Sequence, residues 1–423
     1  MRVLVAGGGI GGLVAALSLH DAGIDVEVVE SARCIDAVGA GINLLPHAVR
    51  ELTELGLGAA LEATGVATRE LVYHDRFGTR IWSEPRGRAA GYRWAQYSIH
   101  RGELQLLLLG AVQERLGADA IRCGLAVERF TQTAEGVRAE LRERVTGRLS
   151  SADADVLIGA DGIDSAVRAQ LHPREGPPRW SGIGMWRGVS EAQPFLTGRT
   201  MIMAGSNSHT KFVAYPIGTR DGRALVNWVA EIRLALSDRS RDAHDWRHTA
   251  DPATVLAHFS AWDFDWLDIP ALIARAPAIY EYPMIDRDPL PCWGNGRVSL
   301  LGDAAHPMYP IGSNGASQAI IDARVLAHEL AGSSDPVSAL ATYEDLRRPP
   351  TTALVHANRR DGPEHVMTIV EQRAPNGFAD INDVIGQDDL RAIVARYSRT
   401  AGFDVDELNH RLSWSVTAPS TVV

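Results

Sequence analysis

Lysine is almost missing from this chain of 423 residues: Lys211 is the only one, and arginine carries nearly all the positive charge. That excludes any chemistry needing a second lysine. Cysteine is also scarce. Cys34, Cys123 and Cys292 lie far apart and are odd in number, so they suggest neither a disulfide framework nor a zinc site. A reducing, cytoplasmic setting is expected. No long apolar run is present either; the longest, Leu104 to Val112, is interrupted by Gln105 and too short to span a bilayer. The N-terminal run Val3 to Ala6 leads straight into glycines, which argues against a signal peptide. Excess positive charge is absent too. At a net charge of −10, neither nucleic acid nor an anionic membrane is an expected partner. His100 and His306 share no ligand spacing, so no metal is expected.

What is present begins at the N-terminus. Arg2 to Ala6 reads as a short buried strand, followed at once by Gly7-Gly8-Gly9-Ile10-Gly11-Gly12. Leu13 to His20 is helical in character, and Asp25 to Glu30 reads as the next strand, ending in an acid. This strand, GxGxxG, helix, strand and acid layout is that of a dinucleotide-binding unit. Gly7 permits the tight turn, Gly9 the approach of a pyrophosphate, and Gly12 the packing of helix on strand. The helix start then offers unpaired N–H groups to the phosphates, and Glu30 can accept hydrogen bonds from a ribose. The motif alone does not choose between NAD and FAD.

Two later segments favour a flavin. Asp155 to Gly162 is an apolar strand running into Asp161-Gly162, with Ser165, Val167 and Arg168 opening a helix. Gly296 to Pro307 is a second such strand, ending in Gly302-Asp303, and Pro310 to Ala316 leads into a helix from Ser317 to about Leu330. Asp303 offers a carboxylate to ribityl hydroxyls, which FAD has and NAD lacks. The turn Gly312, Ser313, Asn314, Gly315 and Ala316 presents N–H donors where a reduced flavin carries negative charge. Arg101 is placed to neutralise pyrophosphate.

On these segments the chain resembles the class A flavoprotein aromatic hydroxylases, the family of p-hydroxybenzoate and salicylate hydroxylases. Within it the similarity leans to phenazine hydroxylases, through Trp82 to Gly87, Gln96 to Gln105, Met185 to Val189, Asn227 to Val229, Tyr282 to Met284 and Asp286 to Pro289. The resemblance covers most of the chain to about Pro350. It implies FAD as cofactor and NADPH or NADH as reductant. It also implies O2, activated at flavin C4a, as co-substrate for hydroxylating a small planar aromatic or heteroaromatic compound. FAD contacts carried over are Gly12, Glu30, Asn43, Arg101, Val127, Asp303 and the Gly312 to Ala316 turn; the motifs add Gly7, Gly9, Gly11 and Asp161 as expected cofactor contacts. Asn43 departs from the small residue usual there, and Val127 would act through its backbone near the adenine. No second GxGxxG serves the nicotinamide, which agrees with the family habit.

The expected fold is α/β. A Rossmann-like FAD-binding domain (1–70, 98–179 and 283–360) alternates with a mostly antiparallel substrate sheet (71–97 and 180–282). A polar C-terminal helical segment (361–423) follows, its last residues, Ala418 to Val423, frayed. Substrate contacts are expected at Trp186, Met203, Tyr215, Trp228, Tyr309 and Pro310, because small-molecule pockets are mostly apolar. Trp262 to Trp266 reads as a partly exposed packing patch. No general base is singled out, and a monomer or homodimer is expected. A flavin halogenase is disfavoured, since Lys211 lies in the wrong region and no Trp-x-Trp-x-Ile-Pro stretch exists. A flavin dehydrogenase without oxygen insertion stays open as the alternative.

Overall fold

The chain opens on β1 (Arg2–Ala6), α1 (Ile10–Asp21) and β2 (Asp25–Glu30) in the computed structural model, which describes residues 1–37, 39–234 and 248–416. β1 is the middle strand of a five-stranded parallel sheet, in the order Val298–Leu300, Val156–Gly159, β1, β2, Ile121–Cys123. Strands covered on both faces read as unbroken apolar runs, and Val3 to Val5 and Val156 to Ile158 are buried accordingly. The glycine turn is tight. A Cβ at Gly12 would lie 1.9 Å from the Gly7 carbonyl oxygen, and one at Gly7, where φ is +113°, 2.3 Å from that of Ala160.

All three strand-to-turn motifs lie at the C-terminal edge of this sheet, the edge at which open α/β sheets bind ligands. Arg168 ties two of them together: buried, it donates from one nitrogen to the carbonyls of Ala304 and Ala305, each at 2.9 Å. Asp322, on the helix Gly315–Gly332, accepts from the Gly302 amide at 3.1 Å and from Arg347 at 2.7 Å. Burial alone would raise the pKa of Asp322. His306 and Arg347 hold it below the ordinary carboxylate range.

The second layer is a seven-stranded sheet, in the order Tyr280–Asp286, Arg179–Ala192, Arg223–Arg233, Thr210–Arg220, Thr200–Gly205, Glu70–His74, Arg80–Pro85. Every pair is antiparallel except Thr200–Gly205 with Glu70–His74. Successive side chains on a strand alternate between the faces. Trp186, Ile202, Phe212, Ala214, Trp228 and Ala230 share one apolar core with Phe259 and Leu272 of the helices Pro252–Phe259 and Ile269–Ala274. Met185, Met203, Val213, Tyr215 and Val229 belong to a different core on the opposite face. The Trp262 to Trp266 stretch closes the first core: Trp262 and Phe264 are buried, and Trp266 lies 4.5 Å from the His74 ring, centroid to centroid.

Beyond residue 360 come the helices His365–Arg373, Gln387–Thr400 and Val405–His410. They are no external tail: Val366, Leu390 and Tyr397 are buried in the cores around the Pro310 to Ala316 turn. Ala418 to Val423 lie outside the described residues.

Candidate active site

The edge of the parallel sheet and the second face of the seven-stranded sheet enclose a cavity of about 370 Å³. That is within the size of small-molecule sites, roughly 300–1,000 Å³. One side is formed by Gly9, Ile10, Gly11, Asn43, Arg101, Asp303 and Ser313 to Ala316, the other by Met203, Val213, Tyr215 and Val229. A second cavity, of about 290 Å³, lies under Trp82, Tyr92 and Phe403 and shares Met201, Met203 and Ser313 with the first.

The first side fits a flavin nucleotide. A Cβ at Gly9 would meet nothing within 4 Å, so the backbone at the start of α1 faces open space where a pyrophosphate would lie. Glu30 closes the glycine loop, its carboxylate accepting from the amides of Gly8 at 2.7 Å and Ala32 at 2.6 Å. Gln105 donates to the Gly8 carbonyl at 2.8 Å. Arg101 begins the helix Arg101–Leu116 and stands exposed in the cavity wall. Asp303 opens onto the cavity but is otherwise enclosed; burial pushes its carboxyl pKa up, against the opposing pull of His306 and Arg101. Asn43 is buried and accepts from the Ser98 hydroxyl at 2.6 Å.

The Gly312 to Ala316 turn is clamped from the C-terminal segment. The Tyr397 hydroxyl accepts from Asn314 Nδ2 at 3.0 Å and donates to Asn358 Oδ1 at 2.8 Å. A Cβ at Gly312 would fall 2.1 Å from that hydroxyl, so Tyr397 can approach only because position 312 is glycine.

Asp161 and Val127 are not among the residues lining this cavity, and neither are Gly7, Gly12, Glu30 and Gly312. Ala160 and Gly162, on either side of Asp161, do line it. The Asp161 Oδ2 accepts from the Ala166 amide at 2.8 Å at the start of the helix Ala166–Leu171, whose N-cap is Ser165, while its buried Oδ1 has no hydrogen-bond partner among the described residues. Val127 lies on the strand Leu125–Gln132, in a separate three-stranded sheet, and is buried in the core of the first layer.

Of the expected substrate residues, Met203, Tyr215 and Pro310 line the cavity. Trp186 and Trp228 do not; they are the correction the strand phase makes. Both point into the opposite core, where the Trp228 indole N–H donates to Ser190 Oγ at 3.0 Å and stacks on Phe212. Tyr309 packs beneath the wall and is not part of it. The Tyr215 hydroxyl donates to the Gly41 carbonyl at 2.8 Å, and burial pushes its pKa up.

Sequence reasoning missed the charges of this wall. Lys211, Glu231, Glu364 and Arg187 all line the cavity. Lys211 is buried, its ammonium 2.9 Å from Glu231 and 2.5 Å from Glu364. Asn207 donates to the same Glu364 oxygen at 3.0 Å. Burial alone would lower the pKa of Lys211, but the two carboxylates drive it up. A signal was available: Lys211 and Glu231 are charged residues inside otherwise apolar strands.

A parallel-sheet nucleotide fold, a glycine-lined cavity at its C-terminal edge and a second sheet over that cavity define a nucleotide-binding enzyme with room for a small molecule. Residues 1–358 match the family described as FAD binding domain. Over 371 residues the chain is 53% identical to phenazine 1,6-dicarboxylic acid hydroxylase PhzS of Lysobacter antibioticus, covering 86% of this chain and 91% of that one. It is 35% identical over 375 residues to 3-amino-4-hydroxybenzoate 2-monooxygenase PtnB3 of Streptomyces platensis, covering 86% and 88%. The crystal structure of Klebsiella pneumoniae HpxO complexed with FAD and uric acid matches with a TM-score of 0.71 at 27% identity, covering 95% of this chain and 93% of that one. The chain belongs to this FAD-binding family, among the class A flavin hydroxylases, and is an FAD-dependent aromatic monooxygenase. The dehydrogenase alternative gives way, since the relatives are hydroxylases and monooxygenases. No helix among the described residues is long and apolar enough to cross a membrane.

Proposed function

We propose that this enzyme hydroxylates a planar, carboxylated heteroaromatic of the phenazine kind, with NADPH or NADH as reductant. The observation that carries the reading is the 53% identity to a phenazine 1,6-dicarboxylic acid hydroxylase over most of both chains. The apolar slot of Met203, Val213 and Val229 opposite the flavin side of the cavity supports it. When bound, FAD supplies the electron transfer to oxygen and the oxygen atom transfer to the ring. The chain does the rest. The start of α1 and Arg101 would offset pyrophosphate charge, Asp303 would accept from ribityl hydroxyls, and the turn at the start of the helix Gly315–Gly332 would offer its free amides to the flavin ring. Met203, Val213 and Val229 hold a flat ring and keep water out. Three free cysteines and the net charge of −10 support a cytoplasmic enzyme, and we take it to act as a monomer or homodimer.

Purified holoenzyme should oxidise NAD(P)H slowly alone and at least about tenfold faster with phenazine-1,6-dicarboxylate, a difference of about 1.4 kcal/mol. A hydroxylated product should form in step. Acceleration accompanied only by H2O2, or no acceleration, would remove phenazine carboxylates from the substrate list.

A further inference from the structure

Arg187 stands near the middle of the strand Arg179–Ala192, paired with Val229 on one side and Tyr280 on the other. The alternation that sends Trp186 into the packing core sends Arg187 into the cavity wall. Its Nε is buried and has no hydrogen-bond partner, and no ion pair among the described residues includes it. The other cations of the wall are engaged or placed for other work. Lys211 is held by Glu231 and Glu364. Arg101 lies beside the glycine loop, with its backbone amide on the Ala40 carbonyl. Arg187 is the guanidinium left over.

Arg187 is half-buried, and its enclosed Nε–H has no acceptor among the described residues; an enclosed charged donor left unpaired is costly, a cost normally met by pairing. The neighbours do not meet it. Glu231, Tyr215 and Tyr282 lie within its field, but Glu231 is committed to Lys211 and the Tyr215 hydroxyl to Gly41. A planar guanidinium is the side chain best matched to a carboxylate, through two parallel hydrogen bonds.

We propose that Arg187 is the specificity residue that reads an anionic substituent on the aromatic ring, pairing with a substrate carboxylate at the edge of the slot formed by Met203, Val213 and Val229. The assignment deepens the proposed function and rests on its view of this cavity as the ring site. Arg187 sets which rings bind and how they lie; it takes no part in oxygen transfer.

The test is a pair of titrations followed by the flavin absorbance change, in holoenzyme carrying the native residue, Arg187→Met or Arg187→Lys. The probes are phenazine-1,6-dicarboxylate and its uncharged diamide. Arg187→Met should weaken the dicarboxylate about tenfold to a hundredfold, the loss of a charge-assisted hydrogen-bonded pair, and leave the diamide within about threefold. Arg187→Lys should recover part of the loss, and the change should fall on KM more than on kcat. FAD content and melting temperature report whether the variant is folded. Equal weakening of both probes, no weakening of either, or loss of FAD itself would overturn the assignment. If the native enzyme answers to neither phenazine, the phenazine reading fails on its own. Arg187 is then judged by the same titrations with a hydroxybenzoate and its amide: discrimination lost in Arg187→Met supports it, and silence overturns it.

Discussion

Along Thr210–Arg220 the backbone visits two environments in turn: Phe212 and Ala214 enter an aromatic core, while Lys211, Val213 and Tyr215 enter the cavity wall. The neighbouring strands repeat the division, with Trp228 and Ala230 on one face and Val229 and Glu231 on the other. On these central strands Trp186, Phe212 and Trp228 fill the face that only packs, while Tyr215 stands on the cavity face with its hydroxyl tied to Gly41. The cavity face combines medium-sized apolar side chains with buried charges. The tryptophans therefore point away from the cavity here, and expensive buried charge points toward it.

The sharpest way to break this comparison is Lys211→Met. It would leave Glu231 and Glu364 buried without their shared cation, at a cost of about 3–5 kcal/mol. Urea unfolding of the holoenzyme measures it. A loss below 1 kcal/mol would mean that the charged face is not a closed ionic group.

A buried base without ionic partners should behave in the opposite sense. His47 is wholly buried on the helix Pro46–Glu54, its Nδ1 lacks a hydrogen-bond partner, and burial, with Arg411 and Arg347 nearby, lowers its pKa to about 3. The unfolded chain takes up the proton near pH 6.5, so between that pH and about 3 the unfolded state binds more protons than the folded one. Stability should fall as pH falls through this window, by about 2 kcal/mol from pH 6.5 to 5. His47→Phe should flatten that part of the profile. An unchanged slope would show that other groups carry the acid sensitivity.

The smallest effect belongs to the packing face. Ile202→Val removes one buried methylene from a position that does not touch the cavity and should cost about 1 kcal/mol. Turnover should stay within about twofold of the native enzyme. A tenfold loss of turnover would blur the division between the faces.

The nucleotide half was legible because its chemistry is local. Gly7 to Gly12, the Gly302-Asp303 turn and the Gly312 to Ala316 turn each carry their reason within a few residues. The structure places all three around one cavity. Asp161 stands at its strand end with one carboxylate oxygen on the Ala166 amide and the other buried without a partner among the described residues, a division the strand-end pattern does not reveal. The substrate half was legible as a sheet and illegible as a surface. Trp186, Trp228, Met203 and Tyr215 all stand in strand-like runs, but one residue of phase decides between core and cavity. Arg187 shares that ambiguity. Glu364 and Tyr397 come from a stretch that reads as a polar helical tail. Only the tertiary fold brings them to Lys211 and to Asn314.

The reach of Lys211 to Glu364 also bears on how the protein is made. The two lie 153 residues apart in sequence. At roughly 5–20 residues per second, a ribosome adds Glu364 about 8–30 s after Lys211. For that interval the nascent sheet holds its single ammonium with Glu231 alone and has no Tyr397 to seat the Gly312 turn. Both halves of the chamber therefore wait on late residues: the nucleotide sheet on Val298–Leu300, and the ring-binding wall on Glu364.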